Sequence, residues 1–449
     1  MPAPLLFDPT AGVFFDTKTN ESTKLTALGY EGRSTSTTIT AFSILRRLEE
    51  QKIAAKDQKL LSFTDNRQDA ALQAGHFNDF LHVVQLRSAI YRALKAAEDQ
   101  PLDYSTLGTA IRKALGLGFL EFSNTNAIPD FPNTRRLYDE ALEKYLVYRA
   151  IYDLRRGWRV VLPNLEQCAL LSIGYRDLNE VAAANDAWKN VPLFNLVEPD
   201  ERAELIANVL DFFRSEYALC SENYLTAERI KQSEAEIRER LKAPWKYDDD
   251  EHILSPFYLR YETLPAYVAL NTKSVGPASG LGKYLRKLAK ERDPLLDLRG
   301  GEYMEFIKLL LNRLESAGYL LSQTAKNVNN QQTLVYQLRL DSLLWQLGDE
   351  NYVKPDEVRL RAYKDVKVKP NRFFQELYQR DFSKAKRLEG QDHTGQLKAD
   401  VRIEREDKFR AGDISALFCS PTMELGIDIA NLNVVHMRNL ITNRMLLPR

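Results

Sequence analysis

At 449 residues the chain is long enough for two or three domains that each bury a core, and its 44% apolar and 28% charged residues are ordinary for a globular protein. Lys plus Arg and Asp plus Glu both number 62, so bulk charge supports no nucleic-acid reading and a local patch would be needed. Cys168, Cys220 and Cys419 form no Cys-x-x-Cys pair, and neither a secretory start nor a run of about eighteen apolar residues is present, so a reducing, cytoplasmic setting without membrane contact is expected.

Residues 1–36 read as a lead-in segment with a short β-like run, Val13-Phe14-Phe15, and a polar end from Glu31 to Ser36. A helix is expected from about Thr37. Ile39, Phe42, Ile44, Leu45 and Leu48 have roughly helical spacing, and the Ser/Thr run before them offers N-caps. Residues 59–63 read as a buried strand, and Thr64-Asp65-Asn66 as turn and cap. A second helix then begins at Arg67, with Ala70, Ala71, Ala74 and Phe77 at close-packing positions.

A matching unit returns at the far end. A short strand near Leu388 leads to His393-Thr394-Gly395, a helix over 400–411, and strands over 414–419 and 432–437. Four strands with intervening helices predict an α/β fold, a parallel sheet covered on both faces. It is built from residues 37–85 and 385–449 and interrupted by an insertion over 86–384, which a domain tolerates when the insertion leaves and returns at the surface. The insertion is mostly helical. Ala203, Ile206, Val209, Leu210 and Phe213 keep the helical period, as do Leu142, Tyr145, Leu146 and Ile151. A strand-like run, Trp158-Arg159-Val160-Val161-Leu162, breaks the pattern. Over 279–340 the order helix, helix, then two β-like runs (318–323 and 334–338) around Asn327, Asn329 and Asn330 gives a winged-helix-like outline. Its second helix is rich in Phe306, Ile307, Leu309, Leu310, Leu311 and Leu314, which points to packing rather than base reading.

Three segments carry chemistry. In Leu60-Leu61-Ser62-Phe63-Thr64-Asp65-Asn66-Arg67-Gln68-Asp69, a strand end meets hydroxyl, amide and guanidinium groups at a helix N-terminus, an arrangement suited to phosphate. Taken alone, it reads rather as a plain strand-to-helix turn in which Thr64, Asp65 or Asn66 caps the helix. His393-Thr394-Gly395-Gln396 also follows a strand, although a lone His is more often a surface or core residue than a ligand. The third is Leu417-Phe418-Cys419-Ser420-Pro421-Thr422-Met423-Glu424-Leu425-Gly426-Ile427-Asp428-Ile429, an apolar strand running into a hydroxyl-bearing turn and then Gly-Ile-Asp, with Phe409-Arg410 and Gly412 upstream.

In this order the first and third segments resemble motifs IV and V of superfamily 2 DEAD/DEAH-type helicases, and together the three resemble their second RecA-like domain. Glu31-Gly32-Arg33-Ser34-Thr35, Ala74-Gly75-His76-Phe77-Asn78-Asp79-Phe80 and Leu162-Pro163-Asn164-Leu165-Glu166-Gln167 are similar to blocks of large bacterial helicases that carry an insertion inside that domain. The resemblance implies backbone contacts to DNA or RNA from Thr64, Arg67, Thr394 and Ser420, with Thr422 assisting. It implies close backbone approach at Gly426 and coupling to the nucleotide through Asp428. ATP and Mg²⁺ are the implied cofactors, and an N-terminal motor domain or neighbouring subunit the implied protein partner.

Two departures limit the expectation. No Gly-x-x-x-x-Gly-Lys-Ser/Thr loop and no Asp-Glu-x-His/Asp box occur, and no Gln-Arg-x-Gly-Arg motif VI follows Met437-Arg438-Asn439. Arg444 and Arg449 lack a Gly-Arg context, so neither is expected to act as an arginine finger. The expectation is the C-terminal part of an ATP-dependent helicase or translocase, a fragment of a hydrolase not active alone. The alternative is a non-catalytic remnant that binds nucleic acid or protein. A metal-dependent nuclease built on Asp65, Asp69, Asp392 and Asp428 finds no support in their spacing. Residues 352–390 hold eleven Lys/Arg against six Asp/Glu, with Tyr363, Phe373, Phe374 and Tyr378 interleaved. They read either as a stacking and phosphate surface or as a solvated amphipathic helix. Asp248-Asp249-Asp250-Glu251 reads as a solvated turn.

Overall fold

The computed structural model describes residues 7–8, 13–14, 30–64, 67–98, 100–155, 162–262, 271–326, 332–358, 369–383, 388–420 and 434–437; for 7–8, 13–14 and 30–33 the backbone alone is described. The elements begin with β1 (Phe7–Asp8), β2 (Val13–Phe14), α1 (Tyr30–Glu50), β3 (Leu60–Phe63) and α2 (Arg67–Ala96). They continue with α3 (Tyr104–Leu115), α4 (Phe119–Phe122), α5 (Pro132–Asp153), β4 (Leu171–Tyr175), α6 (Leu178–Ala183), α7 (Pro192–Asn195), α8 (Pro199–Ser215), β5 (Leu219–Cys220) and α9 (Ala227–Arg240). Next come β6 (Tyr258–Arg260), β7 (Thr272–Ser274), α10 (Gly280–Arg292), α11 (Gly301–Ser316), β8 (Leu320–Lys326), β9 (Gln332–Arg339) and β10 (Leu343–Leu347). The last are α12 (Arg372–Gln379), β11 (Gly390–His393), α13 (Ala399–Ala411), β12 (Ala416–Cys419) and β13 (Val434–Met437). The chain separates into two compact units, Leu25–Leu86 with Asp381–Arg449 and Met1–Lys24 with Arg87–Arg380, and the boundary falls inside α2.

The unit that contains β3 is built on a four-stranded sheet in the order β11-β12-β3-β13, every pair parallel, as the alternation of strands and helices predicts. All four residues of the inner strand β12 are 0% exposed, because helices cover both faces of the sheet. Strand alternation decides which helix each side chain meets. Leu61, Leu417 and Cys419 pack with Phe409 of α13, and Phe63 joins them. Phe418 points the other way, its ring 5.7 Å from that of Phe77 on α2. Asn78 reaches the edge strand: its side chain donates to Gly390 O and accepts from Gly390 N, both at 2.8 Å, and so fastens α2 to β11.

Two local expectations need correction. Helix α1 starts at Tyr30, not Thr37, and its Ser/Thr run does not cap it. Ser34, Thr37 and Thr38 are buried, and Gln73 of α2 donates to Ser34 O at 3.1 Å and to Thr38 Oγ1 at 2.8 Å. Packing against α2 thus overrides the capping preference of those residues. On α2 itself Ala70, Ala74 and Phe77 are buried but Ala71 is exposed, since one position of turn carries it off the inner stripe.

The other unit is mostly helical. The apolar periods of α5 and α8 are buried as their spacing predicts. Over 279–340 the order is α10, α11, then the antiparallel pair β8–β9; Leu309 alone of the six apolar α11 residues is exposed. The strand-like run at 158–161 and Asn327, Asn329 and Asn330 lie outside the described residues. Glu251, expected to be solvated, takes a bidentate pair from Arg149 at 2.6 and 2.8 Å.

Asp211 on α8 accepts hydrogen bonds of 2.8 Å from each of Tyr175, Arg214 and Lys354. Burial by itself raises its carboxyl, but the two cations outweigh that and hold it at about 2, below the ordinary 3.8. A depressed native value adds stability above the unfolded pKa and loses it as pH falls from 3.8 towards 2, here about 2 kcal/mol. All four tryptophans lie between Arg87 and Arg380, so their fluorescence follows this unit. Between neutral pH and the acid end of that window, urea unfolding should lose that amount more in the wild type than in Asp211→Asn. Equal losses would show that the pairing adds nothing.

Candidate nucleic-acid interface

Parallel strands bring their C-terminal ends to one side of the sheet, the side where open α/β folds bind ligands. The register aligns His393, Cys419 and Phe63 across β11, β12 and β3, so the next residues, Thr394, Ser420 and Thr64, form a row along that edge. At the spacing of neighbouring strands the row is about 10 Å long. All three are nearly buried, at 4%, 1% and 2% exposure. Thr64 donates from N and from Oγ1 to Cys419 O, at 2.9 and 3.2 Å, tying β3 to β12. The Ser420 N–H donates to His393 O at 3.4 Å.

Arg67 differs from these three. It opens α2, it is exposed, and it makes no ion pair or hydrogen bond among the described residues. Its Nη2 lies 3.9 Å from where a Cβ on Gly395 would stand. A guanidinium with its donors free, at a helix N-terminus beside an exposed glycine backbone, is suited to a phosphate oxygen.

The turn that carries Gly395 is held from below. His393 is 0% exposed, donates from Nε2 to Glu406 Oε1 at 2.9 Å, and has no partner for Nδ1 among the described residues. Asp392 takes Arg405 at 2.6 Å, so two neighbouring residues of β11 are pinned to two neighbouring residues of α13. His393 is therefore a core residue and supports the turn. Sequence reasoning missed Glu406 and Asn78 in these roles. Asn78 lies within the block 74–80 and Glu406 one helical turn before Arg410, but no local pattern marks either as a partner for β11.

Thr422, Gly426 and Asp428 lie outside the described residues, as do Asp65, Asn66, Arg444 and Arg449. Of the four carboxylates weighed as a nuclease cluster, Asp69 is buried and Asp392 is ion-paired. Of the interleaved aromatics of 352–390, Tyr378 and Phe374 are core residues rather than stacking groups, and Tyr378 donates to Pro163 O at 2.9 Å. Only Phe373 of the described three is exposed, and Tyr363 lies outside the described residues.

Residues 368–446 match the family model of the helicase conserved C-terminal domain, which implies a helicase-related function on nucleic acid. The matched stretch contains α12, β11, α13, β12 and β13, while β3 and Arg67 precede it. No curated protein and no solved structure matches the chain. Proteins with this domain typically use ATP and Mg²⁺, and no site for either is shown among the described residues. The sequence has no Gly-x-x-x-x-Gly-Lys-Ser/Thr loop, and the described residues hold no group of three His, Cys, Asp or Glu that could bind a metal ion. Among the described residues no helix is long and apolar enough to cross a membrane.

Proposed function

We propose that this protein supplies the second RecA-like half of an ATP-dependent nucleic-acid helicase or translocase, with Leu25–Leu86 and Asp381–Arg449 as the motor half and Arg87–Arg380 as an insertion. The observation that carries this reading is Arg67, an exposed guanidinium with no ion pair or hydrogen bond among the described residues, beside Gly395 at the C-terminal edge of the parallel sheet. In this reading Arg67 contacts backbone phosphate of DNA or RNA. Thr64, Thr394 and Ser420 set the position of the strand ends, and Thr422 adds a further hydroxyl. Gly426 and Asp428 relay the nucleotide state of a first motor domain carried by another chain or segment. A second reading, a module that grips nucleic acid or protein without turnover, is favoured by the lack of a phosphate-cradling loop in the sequence.

Binding of a labelled single strand, followed by fluorescence anisotropy over a range of KCl, tests the contact. Arg67→Ala should weaken binding at every sequence and lower the salt slope by about 1, with Arg67→Lys recovering most of the slope. Unchanged affinity and slope in Arg67→Ala would remove Arg67 from the interface.

A further inference from the structure

A second cationic surface stands on α10, in the unit that holds Arg87–Arg380. Its sequence, GLGKYLRKLAKER, carries five basic residues and one acidic residue. That excess of four is the largest of any α-helix among the described residues; α2 and α3 come next with two. Lys283, Arg286, Lys287 and Lys290 are spaced by three, four and seven residues from the first, which places them on one face. At 1.5 Å per residue the row is about 10 Å long. Lys283, Lys287 and Lys290 are exposed and Arg286 is half-buried.

The row is not neutralised among the described residues. Among the described residues Lys283 and Lys290 have no carboxylate partner, Lys287 has only Glu291 at 3.9 Å, and Arg286 donates to Pro277 O at 3.4 Å. It is also held rigidly. The opposite face buries Leu281, Leu285 and Ala289 at 0% exposure, and Ser279 caps the helix by accepting from Gly282 N at 2.9 Å. A Cβ on Gly282 would collide with Gly276 O and Pro277 Cα, so the helix start sits directly on that turn.

We propose that this face of α10 binds the phosphate backbone of double-stranded nucleic acid, independently of bases. The proposal rests on the reading that the protein acts on nucleic acid, and adds a contact surface outside the helicase-like sheet. An anionic membrane is a poorer fit, because an interfacial helix needs large exposed apolar side chains and α10 exposes none. A single strand is a poorer fit too. Its binders add aromatic platforms for the bases, whereas the one aromatic residue of α10, Tyr284, is half-buried and accepts a hydrogen bond from Asn208. A duplex presents a denser charge, about one per 1.7 Å of its axis, to a straight row of cations.

The test uses the full chain with Lys283, Lys287 and Lys290 all changed to Gln, which keeps helix propensity nearly constant. Binding of a fluorescein-labelled duplex should weaken by about tenfold or more, with the salt slope lower by about 2–3. A charge-matched control with Lys113, Lys231 and Lys242 changed to Gln should bind as the wild type does, and tryptophan-monitored melting should show all three proteins folded. An equal loss in the control, or no loss in the α10 variant, overturns the proposal. So does an equal loss on a single strand, or a loss of phosphatidylserine-vesicle binding with duplex affinity unchanged. Salt-dependent binding that falls with Arg67→Ala but not with the α10 variant refutes this surface alone. No salt-dependent binding by the wild type to any nucleic acid would refute the functional reading beneath it.

Discussion

Asp153→Ala should destabilise the unit of Arg87–Arg380 by about 3–5 kcal/mol, because it leaves a buried guanidinium without its counter-charge. Arg87 and Asp153 have side chains 1% and 5% exposed and meet at 2.7 Å between Nη2 and Oδ1, with Nε 3.2 Å from both carboxylate oxygens. The remaining donor, Nη1, goes to Pro163 O at 2.9 Å and Tyr378 Oη at 2.8 Å. Burial alone lowers the Arg87 pKa, yet Asp153 and Tyr378 more than reverse it and keep the group charged. The cluster joins α2, α5 and α12 at one point, so its loss is felt across three helices. Replacing both partners, as in Arg87→Met with Asp153→Leu, should cost much less than Asp153→Ala because no charge is stranded. Urea unfolding followed by tryptophan fluorescence reads both variants. A loss below about 1 kcal/mol for Asp153→Ala would show that water reaches Arg87 and that the pair is not a structural keystone.

The second large effect is expected from Phe418→Ala, at about 3–5 kcal/mol for a fully buried ring. Phe418 and Phe77 are both 0% exposed and fill the space over Gly390. A Cβ on Gly390 would come within 2.7 Å of Phe77 Cδ1 and 3.1 Å of Phe418 Cε2, which is why a glycine opens β11. Removing the Phe418 ring leaves a cavity beneath the strand ends that carry Thr394, Ser420 and Thr64. Hydrogen exchange, rather than tryptophan fluorescence, is the readout here. Peptides covering 60–63, 390–393 and 416–419 should lose protection, and salt-dependent binding of a single strand should weaken with them. Full protection in the variant would mean that the α2 face of the sheet refills the space.

Several of these elements are legible locally. The apolar runs at 60–63 and 416–419 announce inner strands, and the helical periods of α5 and α8 follow from spacing alone. The parallel arrangement follows as well, since no two strands of the sheet are joined by a hairpin-length connection. Arg67 could be singled out because a strand end, a turn and a basic residue occur within a few positions.

Partners distant in sequence could not be read in this way. Tyr378, read either as a stacking residue or as part of a solvated helix, is instead sealed onto Arg87, which lies 291 positions away. Asn78 and Gly390 exchange two hydrogen bonds across 312 positions, and the Ser/Thr run before Thr37 became helical because Gln73 supplied its partners. The sequence by itself determined the types of element and the chemistry available at the sheet edge, because period and composition are local quantities. Tertiary structure alone decided which polar groups face water. Thr64 and His393 bond inward to Cys419 O and Glu406, while Arg67, Lys283 and Lys290 have no carboxylate partner among the described residues. That allocation depends on which groups the fold brings within about 3 Å of one another.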